Sequence, residues 1–293
     1  MSYQNLYLEF FGFRERPFTL VPDPAFLFWS AQHSQAYTIL EFGALSFAPI
    51  TVITGEIGAG KTTLIQALLA DLSDDIRVGL VSNAQGGRGE LLQWVLNSLE
   101  VDVGETTNYV DLFQAFQDCL LEEYAAGRRV ILIIDEAQNL SLEGLEELRM
   151  LTNVNSNKDV LLQLILSGQP ELRAMIRRPD MQQLAQRVAA SFHLNAMDDT
   201  TVADYIAHRL KTAGGTGEEF SPEATQRIHQ ESGGIPRLVN QLCEFALLYA
   251  WSSKAKVVTA EMINQVLADG IFFGSDIPKQ GATLLQPSVA KDG

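Results

Sequence analysis

The chain has 293 residues, 46% of them hydrophobic, which is enough for one large or two modest globular domains. Its 21 lysines and arginines stand against 36 aspartates and glutamates, for a net charge of -15. This acidic balance argues against a broad electrostatic surface for nucleic acid or for an anionic membrane, although a local basic patch stays compatible with it. The two cysteines, Cys119 and Cys243, lie in helix-like apolar patterns without metal or redox spacing, so we expect buried thiols in a reducing compartment.

No apolar run approaches the roughly 18 residues that a membrane-spanning helix needs. The N-terminus, 1–5, also lacks the positively charged start and apolar core of a signal peptide. We therefore expect no transmembrane segment and a cytoplasmic protein, with peripheral attachment at the inner membrane as an additional option.

The first thirty residues combine many aromatic side chains with prolines and follow neither a helical nor a strand period. This composition predicts an extended segment, 1–30, that is pinned into grooves of the domain behind it. Two interpretations stay open: plain hydrophobic packing, or an apolar slot that covers the base of a nucleotide. Pro17 and Phe18 are the candidates for the second role.

A helix is predicted over 34–47, and the apolar run 50–53 then leads into a glycine-rich loop and another apolar helix. The loop fits the P-loop pattern G-x-x-x-x-G-K-[ST] with the residues Gly55-Glu56-Ile57-Gly58-Ala59-Gly60-Lys61-Thr62-Thr63. Its glycines permit backbone angles that let successive N–H groups wrap phosphates at a helix N-terminus. Lys61 is expected to reach the β- and γ-phosphates of ATP, and the Thr62 hydroxyl to ligate Mg²⁺.

A predicted strand in the middle of the chain ends in a pair of carboxylates. A strand is predicted over 76–81, a turn over 86–89, helices through 91–99 and 112–124, and a strand over 130–134. The last run is continuously apolar, as in a strand buried on both faces, and it ends in Asp135 and Glu136. Asp135 is expected to hold Mg²⁺ through its water shell, and Glu136 to orient the water that attacks the γ-phosphate. This pair favours hydrolysis over transfer to a substrate hydroxyl.

A helix over 142–151 and a strand over 160–166 follow, and the strand closes on polar residues. Ligands of open α/β sheets lie at the carboxyl ends of strands, so Gln169, or failing it Ser167, is a candidate sensor of the γ-phosphate. The alternative is an ordinary turn.

Four arginines come next, Arg173, Arg177, Arg178 and Arg187, before a final strand around 192–194. A charge cluster of this kind is usually a solvated face. The alternative is an arginine that reaches the nucleotide of a neighbouring subunit and stabilises transition-state charge.

The composition changes near 198, and every later pattern is helical. These changes predict an α/β core over 31–197, a helical lid over 198–272 and a mobile tail over 273–293. Ser221 and Pro222 have the residue types of an N-cap and a first helical position. Arg237 lies at another helix start, where it could pair with a surface carboxylate or touch the γ-phosphate.

From about residue 30 to 270, this order of motifs resembles the AAA+ ATPases. The resemblance narrows to the ExeA/GspA-like family, and it rests on Tyr7 to Phe18, Pro22-Asp23-Pro24-Ala25-Phe26-Leu27-Phe28, Asp135-Glu136-Ala137-Gln138, Gly168-Gln169-Pro170-Glu171-Leu172, Leu184-Ala185-Gln186-Arg187-Val188 and Gly234-Ile235-Pro236-Arg237-Leu238-Val239-Asn240. Members are predicted ATPases of type II secretion, of the mannose-sensitive pilus and of exosortase-linked polysaccharide loci.

The resemblance implies an α/β P-loop core with a five-stranded parallel sheet in the order 5-1-4-3-2, plus a small helical lid. It implies a Walker A motif at Gly55 to Thr62 and a Walker B motif at Asp135 and Glu136. It further implies sensor 1 near Gln169, an arginine finger best matched by Arg187, and sensor 2 at Arg237. ATP, Mg²⁺ and assembly into rings or open helices follow by the same analogy.

Three functions are compatible with these features. The first is an oligomeric ATP-driven switch or motor that works with envelope-complex proteins to assemble a secretion, pilus or exopolysaccharide system. The second is an ATP-dependent, DNA-binding regulator of transposition, which the acidic composition disfavours. The third is a scaffold that polymerises with ATP and hydrolyses it rarely. Secretion members carry a transmembrane segment and a peptidoglycan-binding domain after the ATPase. We expect neither in these 293 residues, and so no direct cell-wall remodelling by them.

Overall fold

The computed structural model describes residues 7–21, 23–46, 48–82, 89–104, 108–156 and 159–276. Its internal contacts divide the chain into two units. The α/β unit contains Thr19–Ala196 and Ile235–Arg237. The helical unit contains the described residues of Met1–Phe18, Met197–Gly234 and Leu238–Gly293.

The α/β unit is built on a five-stranded sheet in which every neighbouring pair is parallel. Its strands are β1 (Ile50–Gly55), β2 (Ile76–Ser82), β3 (Arg129–Asp135), β4 (Leu162–Gly168) and β5 (Val188–Leu194). Their spatial order is 5-1-4-3-2, as predicted. A separate antiparallel pair, Asn155–Ser156 with Asp159–Val160, was not anticipated; if its strands are counted too, the same order becomes 7-1-6-3-2.

Twelve α-helices occur in the part of the chain that the structure describes. They are α1 (Leu8–Phe11), α2 (Ala31–Leu45), α3 (Lys61–Asp71), α4 (Glu90–Ser98), α5 (Tyr109–Ala125), α6 (Leu142–Leu151), α7 (Pro170–Ile176), α8 (Gln182–Ala185), α9 (Asp199–Thr212), α10 (Pro222–Ser232), α11 (Pro236–Ser252) and α12 (Ala260–Ala268). Short 3-10 helices lie at Pro24–Phe26, Ala137–Asn139, Pro179–Met181 and Phe273–Asp276.

Helices cover both faces of the sheet, because its central strands are apolar on both sides. In β3, Leu132 and Ile134 pack in the core formed with α4 to α8, whereas Ile131 and Ile133 pack in the core formed with α2 and α3. The strands alternate their side chains between these two cores, as the pleat of a strand requires. The predicted doubly covered parallel sheet is confirmed.

The fourth strand, β4, lies two residues later in the chain than the strand expected over 160–166. This strand begins at Leu162 and continues through Ser167 to Gly168, so Ser167 lies in the strand and not in the turn after it. The edge strand β5 likewise begins at Val188, earlier than the expected 192. Both strands pair with β1. This pairing extends the carboxyl end of β4 and the amino end of β5 beyond the apolar runs of the sequence.

The helical unit contains α9, α10, α12 and the greater part of α11, together with the first part of the N-terminal segment. Ser221 caps α10, since its hydroxyl accepts a hydrogen bond from the N–H of Ala224 at 3.2 Å. The Tyr7 hydroxyl donates to the buried carboxylate of Glu244 at 2.7 Å, and the Arg14 N–H donates to the carbonyl of Ala213 at 2.7 Å. These contacts fix the segment before Phe18.

The segment expected over 1–30 is therefore split: its residues up to Phe18 belong to the helical unit, and those from Thr19 belong to the α/β unit. Both cysteines are buried. Within the described ranges, no helix is both long and apolar enough to cross a membrane. Most of the turn expected over 86–89 and of the tail expected over 273–293 lies outside the described residues.

Candidate nucleotide-binding and hydrolysis site

The P-loop joins the carboxyl end of β1 to the first turn of α3. Gly58 and Gly60 have φ values of +80° and +96°, which residues with a side chain rarely adopt. Gly55 has no room for a side chain either, because an added Cβ would lie 2.9 Å from Leu194. The glycines of the motif are thus required by the shape of the loop.

Lys61 is buried at the first position of α3, with 5% of its surface exposed. Its ammonium group donates hydrogen bonds to the carbonyl oxygens of Gly55 at 2.8 Å and Glu56 at 3.0 Å. Burial lowers the pKa of Lys61, while nearby carboxylates, first among them Glu136 and Asp135, act in the opposite direction. The loop therefore holds a desolvated cation at the place where the motif expects phosphates.

Thr62 and Asp135 are joined directly, although they are far apart in the sequence. The Thr62 hydroxyl donates to Asp135 Oδ2 at 2.9 Å, and the N–H of Glu136 donates to Asp135 Oδ1 at 3.0 Å. A hydroxyl and a carboxylate are hard oxygen donors of the kind that Mg²⁺ uses together with substrate phosphates and water. These two residues fit the predicted magnesium site. No cluster of three or more acidic, histidine or cysteine ligands occurs among the described residues.

Glu136 is held by two glutamine side chains. Its Oε2 accepts from Gln138 Nε2 at 2.6 Å and from Gln169 Nε2 at 3.2 Å, and the N–H of Gln169 donates to Gln138 Oε1 at 3.0 Å. Glu136 also has a left-handed backbone, with φ 55° and ψ 38°. The pKa of Glu136 is lowered: partial burial acts to raise it, but the two amide hydrogen bonds and the charge of Lys61 outweigh burial. The carboxylate is ionised and fixed in orientation, as the predicted water-orienting role requires.

Gln169 therefore lies beside Glu136, at the carboxyl edge where the sensor was predicted. Ser167 lies one step deeper, opposite Ile53 in the register of β4 and β1, and is fully buried. Within the described ranges its hydroxyl has no hydrogen-bond partner. Which of the two senses a γ-phosphate stays a prediction.

Arg237 belongs to the same unit as the P-loop and lies directly against it. Its N–H donates to the carbonyl of Gly58 at 3.3 Å, and a Cβ added at Gly58 would lie 2.4 Å from Arg237 Cβ. The exposed Arg237 side chain thus starts next to the loop. The sensor 2 role stays a prediction.

The arginines that follow β4 do not form one cluster. Arg173 and Arg177 line a cavity of about 310 Å³ together with Thr54 and His193. Arg178 forms an exposed ion pair with Asp180 at 2.9 Å. Arg173 and Arg177 therefore share one setting, and Arg178 has another.

Arg187 is anchored at the end of α6. Its Nη1 donates to the carbonyl of Thr152 at 3.2 Å and to the Thr152 hydroxyl at 3.0 Å, while Nη2 donates to Asn153. Its guanidinium is held in place by backbone and side-chain oxygens without a carboxylate partner among the described residues. The finger role stays a prediction.

Pro17 and Phe18 have partners inside the helical unit. The Pro17 carbonyl accepts a hydrogen bond from the buried Arg209, and the Phe18 ring meets Phe220 edge-on at 5.9 Å between centroids. Phe18 is 1% exposed. These contacts fit the interpretation that the segment packs against its own unit. The role of Pro17 and Phe18 in covering a nucleotide base stays a prediction.

Sequence reasoning missed two side chains of this site. The sequence presents Gln138 only as part of a motif, and it does not single out the helix residue His33, which contacts the P-loop. The position of Gln138, two residues after Glu136, was a usable signal. His33 offered none, because only the packing of α2 on the loop brings it there.

The geometry and the comparisons agree on the class of protein. Residues 46–176 match the model of an AAA domain. Cdc6p from Pyrobaculum aerophilum is similar with a TM-score of 0.66 at 16% identity, covering 86% of this chain and 72% of that chain. The Drosophila ORC structure, solved bound to DNA, gives 0.62 at 17%, covering 92% and 67%. The fold and the P-loop site thus define an AAA+ protein.

One relative narrows this class to a family. Over 247 residues the chain is 38% identical to General secretion pathway protein A of Aeromonas hydrophila. The match covers 84% of this chain and 45% of that protein. The predicted resemblance to the ExeA/GspA-like AAA+ family is confirmed. The chain spans less than half the length of this relative.

Proposed function

We propose that this chain binds ATP with Mg²⁺ and hydrolyses it to ADP and phosphate. The proposal rests on the edge of the sheet where the Lys-Thr ending of the P-loop meets Asp135 at the end of β3 and Glu136 directly after it. Lys61 would exchange its bonds to loop carbonyls for bonds to phosphate oxygens. Thr62 and Asp135 would hold the metal ion, which when bound neutralises charge on the phosphates.

Glu136 acts on the attacking water. Its ionised carboxylate accepts a hydrogen bond from that water and aims the water oxygen at the γ-phosphorus, where a new P–O bond forms as the bond to the β-phosphate oxygen breaks. The proton that the water loses passes to the Glu136 carboxylate. The leaving ADP carries the charge released, which Lys61 is placed to stabilise. Gln138 and Gln169 keep the carboxylate in one orientation during this step.

The direct test is phosphate release from ATP, with and without Mg²⁺, compared between the wild type and Glu136→Gln. The proposal expects magnesium-dependent release by the wild type, and an inactive variant that still binds ATP. An inactive wild type that also fails to bind ATP with Mg²⁺ would refute it.

The catalytic unit is an oligomer in this proposal. Arg187 has hydrogen bonds to Thr152 and Asn153 but none to the P-loop among the described residues. We infer that it serves the nucleotide of a neighbouring copy. A solution mass measured with ATP and with ADP should show a larger assembly with ATP; a monomer under turnover conditions would contradict this inference.

The biological role rests on the relative. The name General secretion pathway protein A assigns that protein to secretion, and we propose that this chain drives assembly of a bacterial envelope export system with envelope-complex proteins as partners. It would act in the cytoplasm, with peripheral attachment at the inner membrane.

This role can be tested by exchange. The matching region of the Aeromonas hydrophila protein is replaced by this chain, alongside the same exchange with Lys61→Ala. Secretion that returns with the first exchange and not with the second supports the role. A chimera that binds ATP but does not support secretion contradicts it.

A further inference from the structure

His33 connects the start of α2 to the P-loop, and both lie in the α/β unit. Its Nε2 lies 3.1 Å from the carbonyl oxygen of Ala59, and its Nδ1 lies 2.8 Å from Ser30 Oγ. Ser30 also caps α2, since its hydroxyl oxygen accepts from the N–H of His33 at 3.2 Å. His33 is buried, with 7% of its surface exposed. An imidazole with both nitrogens engaged is held rigidly against the loop.

The partners fix which nitrogen carries the hydrogen. A carbonyl oxygen only accepts, so Nε2 must donate to Ala59. In the neutral ring Nδ1 is then an acceptor, and it takes the hydroxyl hydrogen of Ser30 while Ser30 Oγ accepts from the backbone. Burial lowers the pKa of His33, which favours this neutral form, although the bond to Ala59 acts to raise it.

The bond to Ala59 orients a peptide of the phosphate cradle. In a planar trans peptide the carbonyl and the next N–H point in opposite directions, so the N–H of Gly60 is turned away from His33. Among the described residues this N–H has no acceptor. Gly60 is also close to the ring, because an added Cβ would lie 3.0 Å from His33 Nε2. The peptide is held with its donor free on the opposite side.

We propose that His33 is a positioning residue for nucleotide binding, which holds the Ala59–Gly60 peptide so that the Gly60 N–H is presented to a phosphate. The inference rests on the proposed function, because it assumes that the P-loop binds a nucleotide. P-loop N–H groups cradle the α- and β-phosphates, which ATP and ADP share. Loss of His33 should therefore weaken both nucleotides alike and should raise KM while kcat stays unchanged.

The test compares two amides that differ only in reach. In His33→Gln the amide nitrogen can occupy the place of Nε2 and donate to Ala59, whereas in His33→Asn it stops near the place of Nδ1 and cannot. Dissociation constants for ADP and ATP are measured with a fluorescent nucleotide analogue and competition, and the melting temperature without nucleotide is recorded for each variant.

We expect His33→Asn to weaken both nucleotides by about 3- to 10-fold, which corresponds to the loss of one hydrogen bond. His33→Gln should stay within about 2-fold of the wild type. Equal affinities for the two variants, whether near the wild type or equally weakened, would overturn the inference. His33→Leu serves as a second variant without a donor if His33→Asn does not fold. A wild type that binds neither nucleotide would instead refute the proposed function itself.

Discussion

The carboxyl edge of the sheet and the arginines of the α/β unit are prepared to different degrees for the same chemistry. At the edge, Lys61, Thr62 and Asp135 already bond to one another or to the loop, and two glutamines hold Glu136. The arginines after β4 have other surroundings: a cavity wall, a surface ion pair and the end of α6. The groups proposed to bind ATP and orient water already have hydrogen-bond partners at this edge, whereas none of these arginines donates a hydrogen bond to them among the described residues.

This difference has a physical reason. A P-loop must bind phosphates whenever ATP is present, so its donors are organised by the chain itself. Positive charge aimed at the transition state can instead be supplied by a second copy, which makes turnover conditional on assembly. An oligomeric switch needs this division between binding and turnover.

Removing Arg187 should give the largest effect on turnover. We expect Arg187→Ala to lower the rate per site by about 10³-fold or more, the range of arginine fingers in GTPases, with ATP affinity nearly unchanged. Phosphate release and nucleotide binding are measured on the same preparation. Arg178→Ala is the matched control, because the exposed Arg178 side chain hydrogen-bonds only to Asp180 among the described residues. If Arg173→Ala or Arg177→Ala abolishes phosphate release while Arg187→Ala does not, the arginine-finger role is assigned to the wrong residue.

Glu136→Gln tests the prepared edge. The amide is close to the carboxylate in size but does not polarise water in the same way, so the rate should fall by about 10²- to 10⁴-fold while bound ATP persists. Single-turnover chemistry with rapid quench separates this loss from slow product release. Normal hydrolysis by the variant would show that another group orients the water.

Lys61→Ala should act on binding more than on chemistry. The variant loses a buried, charged donor to phosphate, and we expect ATP affinity to fall by about 10²-fold, within the range of 2–5 kcal/mol for such losses. Calorimetry with ATP and Mg²⁺ measures it. Unaltered affinity would mean that the ammonium group stays on the carbonyls of Gly55 and Glu56 when ATP binds.

Gln138→Leu is the mildest of these changes. It removes the 2.6 Å hydrogen bond that lowers the pKa of Glu136, so that pKa should rise toward its ordinary value. Because the base works when ionised, the acid limb of the pH–rate profile should move to higher pH. Near neutral pH the carboxylate stays ionised, so turnover there should fall only through the lost orientation of Glu136, by about 10-fold or less. An unchanged acid limb would show that Gln138 does not set this pKa.

The features that could be predicted from the sequence are those that depend on residues close together in the chain. The P-loop, the strand ending in Asp135 and Glu136, and the sheet order that family resemblance implied all appear in the structure. Each depends on local glycines, an apolar run or a motif. The fold class followed from them.

Contacts between distant residues were not predictable in the same way. The pairing of Gln169 with Glu136 depends on β4 lying beside β3, and His33 reaches Ala59 only through the packing of α2. The N-terminal segment was recognised as pinned, but its assignment to the helical unit up to Phe18 depends on partners such as Arg209 and Glu244, about 200 residues later. Sequence spacing does not encode such long-range complementarity.

Completion of the catalytic site between neighbouring copies can be tested by mixing two inactive variants, Glu136→Gln and Arg187→Ala, which are co-purified in one assembly through separate tags. In such an assembly, an intact Glu136 on one copy can meet an intact Arg187 on its neighbour. If sites are completed between copies, phosphate release should return to a substantial fraction of the wild-type rate, although neither variant alone turns over. A verified mixed assembly that stays as inactive as its parts would contradict the claim that sites are completed between copies.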